Sequence, residues 1–275
     1  DGASVVGEFE TRIASARQTE ALIAKEQTRG RLRLPTFSFR ELSAVAVVLI
    51  LLTTIAIPVI RNAQRRSQQN DCFANVGRIG TGLMTYAAEH ASILPVSSTD
   101  HDRWLPGDGA GADRFASNSA ALFKLVQLKY SDPEIYQCPA VGQKRFAVRA
   151  GMTDFPAGDC ISYSYQHALG PNAAVRLDTA PDGKQNDMVI LSDENPLFAG
   201  GSFHADRLDA PASMNHDGTG QNVLHLDMSA RWATQPDVGV RGDNIFLAGQ
   251  KRRYRGVERP IGPTDSFLLP AYSGN

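Results

Sequence analysis

Residues 42–60 read LSAVAVVLILLTTIAIPVI, and this stretch decides how the rest of the chain is read. It holds 19 residues and no charge. A helix rising about 1.5 Å per residue needs about 20 apolar residues to cross the hydrocarbon of a bilayer, so the run has the length of one span. A core helix of a water-soluble domain has a polar face, and this run has none. A signal-peptide apolar segment is about 7–15 residues long. This one is longer, and 41 residues of more polar sequence precede it. After residue 60 no apolar run is long enough to cross again, so the chain reads as single-pass. Pro58 removes one helical N–H near the end of the span, which membrane helices tolerate.

The periodicity continues past the span. Cys72, Val76, Ile79, Leu83 and Tyr86 or Ala87 recur at steps of three and four, with Arg65, Gln68, Gln69, Asn75 and Arg78 assigned to the opposite face. The pattern predicts one helix over 39–90, membrane-embedded over 42–60 and amphipathic and water-facing over 61–91, broken by SILP at 92–95. Three segments follow: 1–36, a polar stretch with a basic linker; 37–95, the long helix; and 96–275, a soluble domain. Lys25, Arg29, Arg31, Arg33 and Arg40 lie upstream of the span, and Arg61, Arg65, Arg66 and Arg78 lie downstream. That small excess places the N-terminus in the cytoplasm and the soluble domain across the membrane. Asp1 rather than Met opens the chain, which raises the expectation of sequence before it.

The 275 residues are 42% hydrophobic and 21% charged, the balance of a globular chain, and carry a formal net charge of -1. No positive field draws nucleic acid, so nucleic acid is not an expected partner. Within 96–275, AALFKLVQLKY (120–130) predicts a helix packed on a sheet, and DMVILSD (187–193) a buried strand. QNVLHLDMSARWAT (221–234) predicts two strands joined by a tight turn near residues 227–229, with Leu224, Leu226 and Trp232 facing the core and His225 and Arg231 outward. The Gly- and Asp-rich stretch 100–114 and the tail from Gly242 read as loops, the tail with apolar patches at 245–247 and 267–269. Helix first and antiparallel strands after is an α+β pattern: a long N-terminal helix on a small antiparallel sheet, with loop-rich insertions and a C-terminal tail.

Three cysteines are too few for a disulfide scaffold. Cys138 and Cys160 are either a bridge, permitted outside the cytoplasm, or two buried free thiols, while Cys72 stays unpaired or pairs between chains. Asn215, His216, Asp217 and Gly218 make a turn before a strand, and no second His at helical or hairpin spacing converges with them or with Asp227, so no metal site is expected. The sequence has no Walker loop, no Gly-x-Ser-x-Gly elbow and no His-Glu-x-x-His, so no enzyme activity and no cofactor are expected. Ser192, Asp193 and Glu194 read as a polar loop after a strand, Arg241-Gly242-Asp243 as a chance tripeptide, and residues 251–255, KRRYR, as a solvated loop.

The long helix resembles that of type IV pilins and type II secretion pseudopilins, whose mature chain opens with Phe, carries a Glu four residues on and a Pro seventeen residues after the Glu. Phe37, Glu41 and Pro58 fall in that register. The resemblance implies that Glu41 pairs with the N-terminal amine of a neighbouring subunit, which would neutralise a carboxylate in lipid. Family leaders end in Gly, whereas Thr36, after Pro35, stands at that place here, and Arg40 replaces an apolar residue. CFANVGRIGTGLMTYAAEHASILP (72–95), Cys138-Pro139 with Ser162-Tyr163, and MNHDGTGQNVLHLDMSARW (214–232) are similar to segments of pseudopilin-like proteins of planctomycetes and verrucomicrobia. In the third segment Asn215, His216, Gly218, Asn222 and Asp227 are the matching residues, with Met228 where the family has Gly. Related pseudopilins bind calcium, but residues 100–113 lack the spacing of a calcium loop.

The resemblance implies a structural, non-catalytic protein of the bacterial inner membrane. Its partners would be the lipid bilayer and other pilin-like subunits, met through the long helix, with the C-terminal domain in the periplasm. Some planctomycete chains with this pilin-like part carry a cytosolic anti-sigma domain before the span. That supports an alternative in which the chain is a membrane-anchored signalling protein, with a sigma factor as partner of an upstream domain.

Overall fold

The computed structural model describes residues 17–20, 39–97, 103–104, 117–142, 144–170, 173–177, 184–199 and 202–271, with the side chains of 40–42 and 184–185 left aside. Helix α1 runs Phe39–Glu89, 51 residues, with Pro58 inside it, close to the expected 39–90. By packing, the chain divides into two units, Asp1–Val59 and Ile60–Asn275.

In the first unit every described side chain of residues 43–59 is exposed, and α1 is long and apolar enough to cross a membrane. The Thr53 and Thr54 hydroxyls donate to the Leu49 and Ile50 carbonyls at 2.9 and 2.7 Å. These polar side chains are thus satisfied within the helix, as an apolar solvent requires.

In the second unit the expected stripe is buried: Cys72, Val76, Ile79 and Leu83 are fully inaccessible and Ala87 nearly so. Each fully buried aliphatic side chain is worth about 1.5–3 kcal/mol relative to exposure. Asn75, assigned from the sequence to the polar face, is buried and donates through Nδ2 to the Gln137 carbonyl at 3.2 Å. It follows Cys72 by three residues, which sets it on the same side of the helix. A Cβ at Gly80 would sit 3.1 Å from both Leu224 methyls, so a residue without one lets the helix approach the sheet closely there. The helix ends where Ala91 and Ser92 turn left-handed, at φ 52° and 62°.

Helix α2 (Ala120–Gln127) buries Ala121, Leu122, Phe123, Leu125 and Val126 in the same core as the α1 stripe. The strands are β1 (Tyr163–Gln166), β2 (Val189–Asp193), β3 (Phe198–Ala199), β4 (Ser202–Phe203), β5 (Gln221–His225), β6 (Ala230–Ala233) and β7 (Leu268–Leu269). Five form one antiparallel sheet in the order β6-β5-β2-β1-β7, and β3 and β4 pair separately. All five residues of β2 are buried, as its near-continuous apolar run requires of a central strand covered on both faces. The β5–β6 hairpin closes through residues 227–229, with Met228 left-handed at φ 66°. The fold is therefore α+β, with a long apolar helix and a small antiparallel sheet.

The tail does more than the sequence suggested. Its two apolar patches bring Ile245, Phe246 and Leu268 against Val189, Val223 and Ala233 on the second face of the sheet. A further cluster gathers Trp104, Phe198 and Phe267, with Tyr254 of the basic stretch partly buried against it. Trp104 donates through Nε1 to the Glu258 carbonyl at 2.9 Å. The rest of the 100–114 loop, apart from residues 103–104, lies outside the described residues. His225, expected to face outward, is buried, with Nδ1 3.0 Å from the Asp187 carbonyl. The ring is tied to the segment that enters β2, and its β5 neighbour Val223 lies under the tail's second layer.

Asp243, the last letter of the tripeptide at 241–243, is a strut of this layer and accepts the Ser266 N–H at 2.8 Å. Burial first, then the Asp265 and Asp237 carboxylates, push its carboxyl up to about 7, against the pull of the Ser266 N–H. A carboxyl held above its unfolded value binds extra protons when folded. Its contribution to stability is full below the unfolded value near pH 4 and is lost as pH rises through about 7. Burial also raises Asp154 to about 6 and Glu194 to about 7, acting in the same direction, and lowers His167 to about 4, acting oppositely. The comparison with D243N isolates the one group. Between pH 5 and pH 8 the melting temperature of the wild-type protein falls more than that of D243N, as read by circular dichroism. Equal falls in both proteins count against the assignment.

Candidate functional site

Four segments far apart in sequence meet at the end of β2. Asp193, the last residue of that strand, pairs with Tyr163 of β1 and has no exposed surface. Cys72 comes from the α1 stripe. Cys138 follows the one-turn 3-10 helix Pro133–Tyr136. His216 ends another such turn, Met214–His216, in which the Ser213 hydroxyl accepts the Asn215 N–H.

Cys72 and Cys138 are bonded as a disulfide, with Cα atoms 5.1 Å apart and a sequence separation of 66. This corrects the pairing expected from the sequence: Cys160 is a buried free thiol, and Cys72 is neither unpaired nor left for another chain. Helical phase explains the change, since Cys72 opens the buried stripe and so faces the Cys138 turn. Burial, and then the Asp159 charge, push the Cys160 thiol up, which keeps it in its unreactive protonated form. Asp159 is itself paired with Lys144.

His216 Nε2 lies 3.3 Å from Asp193 Oδ2, 3.7 Å from Cys138 Sγ and 3.4 Å from Asn222 Nδ2. Cys72 Sγ lies 3.8 Å from Asp193 Oδ1. The carboxylate is well supplied with donors. Asn222 gives its backbone N–H at 2.6 Å and its amide at 3.1 Å to Oδ2, and Asn215 gives Nδ2 to Oδ1 at 3.4 Å. Asn215 also donates to the Ser162 carbonyl at 2.7 Å, tying the turn to β1. The Tyr163 hydroxyl donates to Cys72 Sγ at 3.4 Å. Burial first, and the Asp193 charge next, hold that phenol well above its ordinary value, so it remains a donor. Trp232 packs edge-on against His216 with ring centres 5.3 Å apart. Gly220 makes room for it, since a Cβ there would come within 2.5 Å of the indole. A cleft of about 140 Å³, lined by Arg65, Gln68, Gln69, Ala140, Asp217 and Thr219, opens onto Asn215 and His216.

The residues singled out from sequence fall into three groups. Asn215, His216, Gly218 and Asn222 lie in or beside this cluster, with Asp217 and Gly218 left-handed in the expected turn. Asp227 does not. It stands five residues beyond Asn222, about 16 Å at the rise of a strand, where its carboxylate accepts the Ser229 N–H. Of the helix residues, Thr36 and Phe37 lie outside the described residues, Glu41 lies in α1 with its side chain undescribed, and Pro58 is inside α1. Asp193 and Cys72 were not expected here. Ser192-Asp193 had read as a polar loop, but β2 keeps both residues inside the sheet. The available signal is a carboxylate one Ser beyond the apolar run 188–191.

No family model, no curated protein and no solved structure matches the chain.

In protein prepared without reductant, peptide mapping recovers the Cys72 and Cys138 peptides joined, and Cys160 is alkylated only after unfolding. Closing a loop of this length is worth about 4 kcal/mol in the chain-entropy treatment. C72S therefore unfolds at clearly lower denaturant than wild type, whereas C160S keeps the bridge. A Cys138–Cys160 peptide overturns the assignment.

Proposed function

We propose that the chain is a single-pass, pseudopilin-like protein of the bacterial inner membrane, a non-catalytic structural subunit of a secretion or envelope assembly. Its helices pack laterally against like helices within the bilayer, and its α+β unit lies in the periplasm. The observation that carries this reading is the change of surface along α1. Residues 43–59 present exposed apolar side chains, and residues 72–87 bury a stripe within a small α+β unit. An exposed apolar surface of that length needs lipid or other helices around it. The register of Phe37, Glu41 and Pro58 supports assembly, with Glu41 neutralised by the amine of a neighbour. The disulfide supports an oxidising compartment for the α+β unit.

Thr36, where the family has Gly, favours a second reading, in which the helix is a permanent anchor for a signalling protein and the α+β unit a sensor. The N-terminus of the protein taken from its native membrane separates the two. A chain beginning at Phe37 supports the assembly subunit, and one retaining residues before Pro35 supports the anchor.

Two outcomes test the first reading. The wild-type protein stays in the membrane pellet after alkaline carbonate extraction. L49R, which costs about 2.5–3.5 kcal/mol at the centre of a span, shifts it toward the soluble fraction. In intact membranes, crosslinking yields a ladder of multimers that E41A loses, and an unchanged ladder in E41A sinks the assembly role.

A further inference from the structure

The cluster at the end of β2 has the donor set of a tetrahedral metal site, its two sulfurs joined to each other in the disulfide form. A Zn²⁺ ion binds sulfur at about 2.3 Å and nitrogen or carboxylate oxygen at about 2.0–2.2 Å, which sets neighbouring ligand atoms of a tetrahedron about 3.3–3.8 Å apart. His216 Nε2 to Asp193 Oδ2 is 3.3 Å, His216 Nε2 to Cys138 Sγ is 3.7 Å, and Cys72 Sγ to Asp193 Oδ1 is 3.8 Å. The ligand atoms of all four residues lie within 4.8 Å of one another. We propose that Cys72, Cys138, Asp193 and His216 form a structural Zn²⁺ site in the dithiol form of the protein, in exchange with the Cys72–Cys138 disulfide.

The surroundings fit a bound cation with two thiolates. Two thiolates and a carboxylate on Zn²⁺ leave one negative charge, and the neighbours point hydrogen at it. Tyr163 donates to Cys72 Sγ, and Asn222 and Asn215 donate to the two Asp193 oxygens. Outer donors of this kind hold the ligands of a metal site in place. The Asn222 amide nitrogen and Asp193 Oδ2 both face His216 Nε2, the ring atom that would ligate. Asn222 Oδ1 is buried without a partner, which marks this corner as unsatisfied by protein groups alone. Two sulfurs select a borderline-soft ion over Ca²⁺ or Mg²⁺, and four protein ligands leave no open position, so the site is structural rather than catalytic. The cleft reaches His216, the one ligand of the four that is not fully buried.

The chemistry balances in two steps. A dithiol or phosphine reductant delivers two electrons to the Cys72–Cys138 bond, which with two protons becomes two thiols while the reductant is oxidised. Zn²⁺ then binds as those thiols release two protons. The disulfide ties two of the four segments covalently, and coordination would tie all four.

The test uses the full chain in detergent micelles. It is reduced with a phosphine, which does not compete for the metal as a dithiol does, then exchanged into metal-free buffer and offered Zn²⁺ or Co²⁺ alone. Near-UV circular dichroism confirms that each sample is folded. The expected result is one Zn²⁺ per chain in the dithiol form and at least a hundredfold weaker binding in the disulfide form. Co²⁺ gives a thiolate-to-metal charge-transfer band and the intense visible bands of a four-coordinate ion. C138S and H216A each weaken binding tenfold or more, and C160S binds as wild type. A folded dithiol protein that takes up no Zn²⁺, a Co²⁺ spectrum without the thiolate band, or C138S binding as tightly as wild type overturns the site. The wild-type stoichiometry and the Co²⁺ spectrum decide the matter even where a variant does not fold.

Discussion

Asp193 has no exposed surface, and a carboxylate taken out of water is strongly destabilising unless charge and hydrogen bonds replace its hydration. The second unit is arranged around that requirement. β5 lies beside β2 with Asn222 in position to give two N–H groups to one carboxylate oxygen. The turn before β5 supplies Asn215 to the other oxygen and His216 to the side. Ser213 caps that turn, and Asn215 anchors it to β1, so the donors are fixed before they meet the carboxylate. α1 and the Cys138 loop close the remaining side through their sulfurs. Removing the carboxylate would leave several aimed donors with nothing to bond. Removing one donor would leave a buried charge poorly met. Neither change is local, because each partner belongs to a different segment.

The second organising constraint is the change of surroundings along α1. The same backbone geometry serves both halves, and only side-chain chemistry distinguishes them. Over residues 43–59 the described side chains are exposed on every side, so no single protein surface could cover them, and a surrounding apolar solvent could. Over 72–87 the apolar residues narrow to one stripe, with Arg78 and Thr81 among the exposed positions, and a sheet face covers it. Gly80 lies on that contact and brings the helix close enough for Leu224 to reach its backbone.

The helix was legible in the sequence because its two signals, an uncharged run and a three–four repeat, are local. The strands β2, β5 and β6 were legible for the same reason, and so was the turn at 227–229. What escaped reading was set by long-range contacts. The cover on the second sheet face depends on a tail some twenty residues or more beyond β5, whose patches at 245–247 and 267–269 look like isolated apolar residues until that face is known to need a cover. The role of Asp193 was hidden because an acidic residue at the end of a strand has the composition of a loop. The Cys72–Cys138 bridge is absent from the alternatives the sequence offers for Cys138, a bridge to Cys160 or a free thiol, because the helix and the Cys138 turn meet only in the fold. Asn215, His216 and Asn222 were found as a turn motif, but their common target lies outside that motif, and spacing within one segment cannot reveal it.

A polar cluster in an apolar core contributes less by burial than a group of leucines would, so its physical effect is better sought in what it fixes. Apolar packing tolerates small slides of a helix along a sheet, because neighbouring methyl groups substitute for one another at little change in area. Hydrogen bonds and a sulfur linkage do not tolerate them, since their geometry fails within a few tenths of an ångström. Cys72 is the first residue of the buried stripe, so a link there sets the register of α1 against the sheet where the stripe begins. The polar cluster thus fixes what apolar packing leaves free, the register at which the buried stripe of α1 meets the sheet.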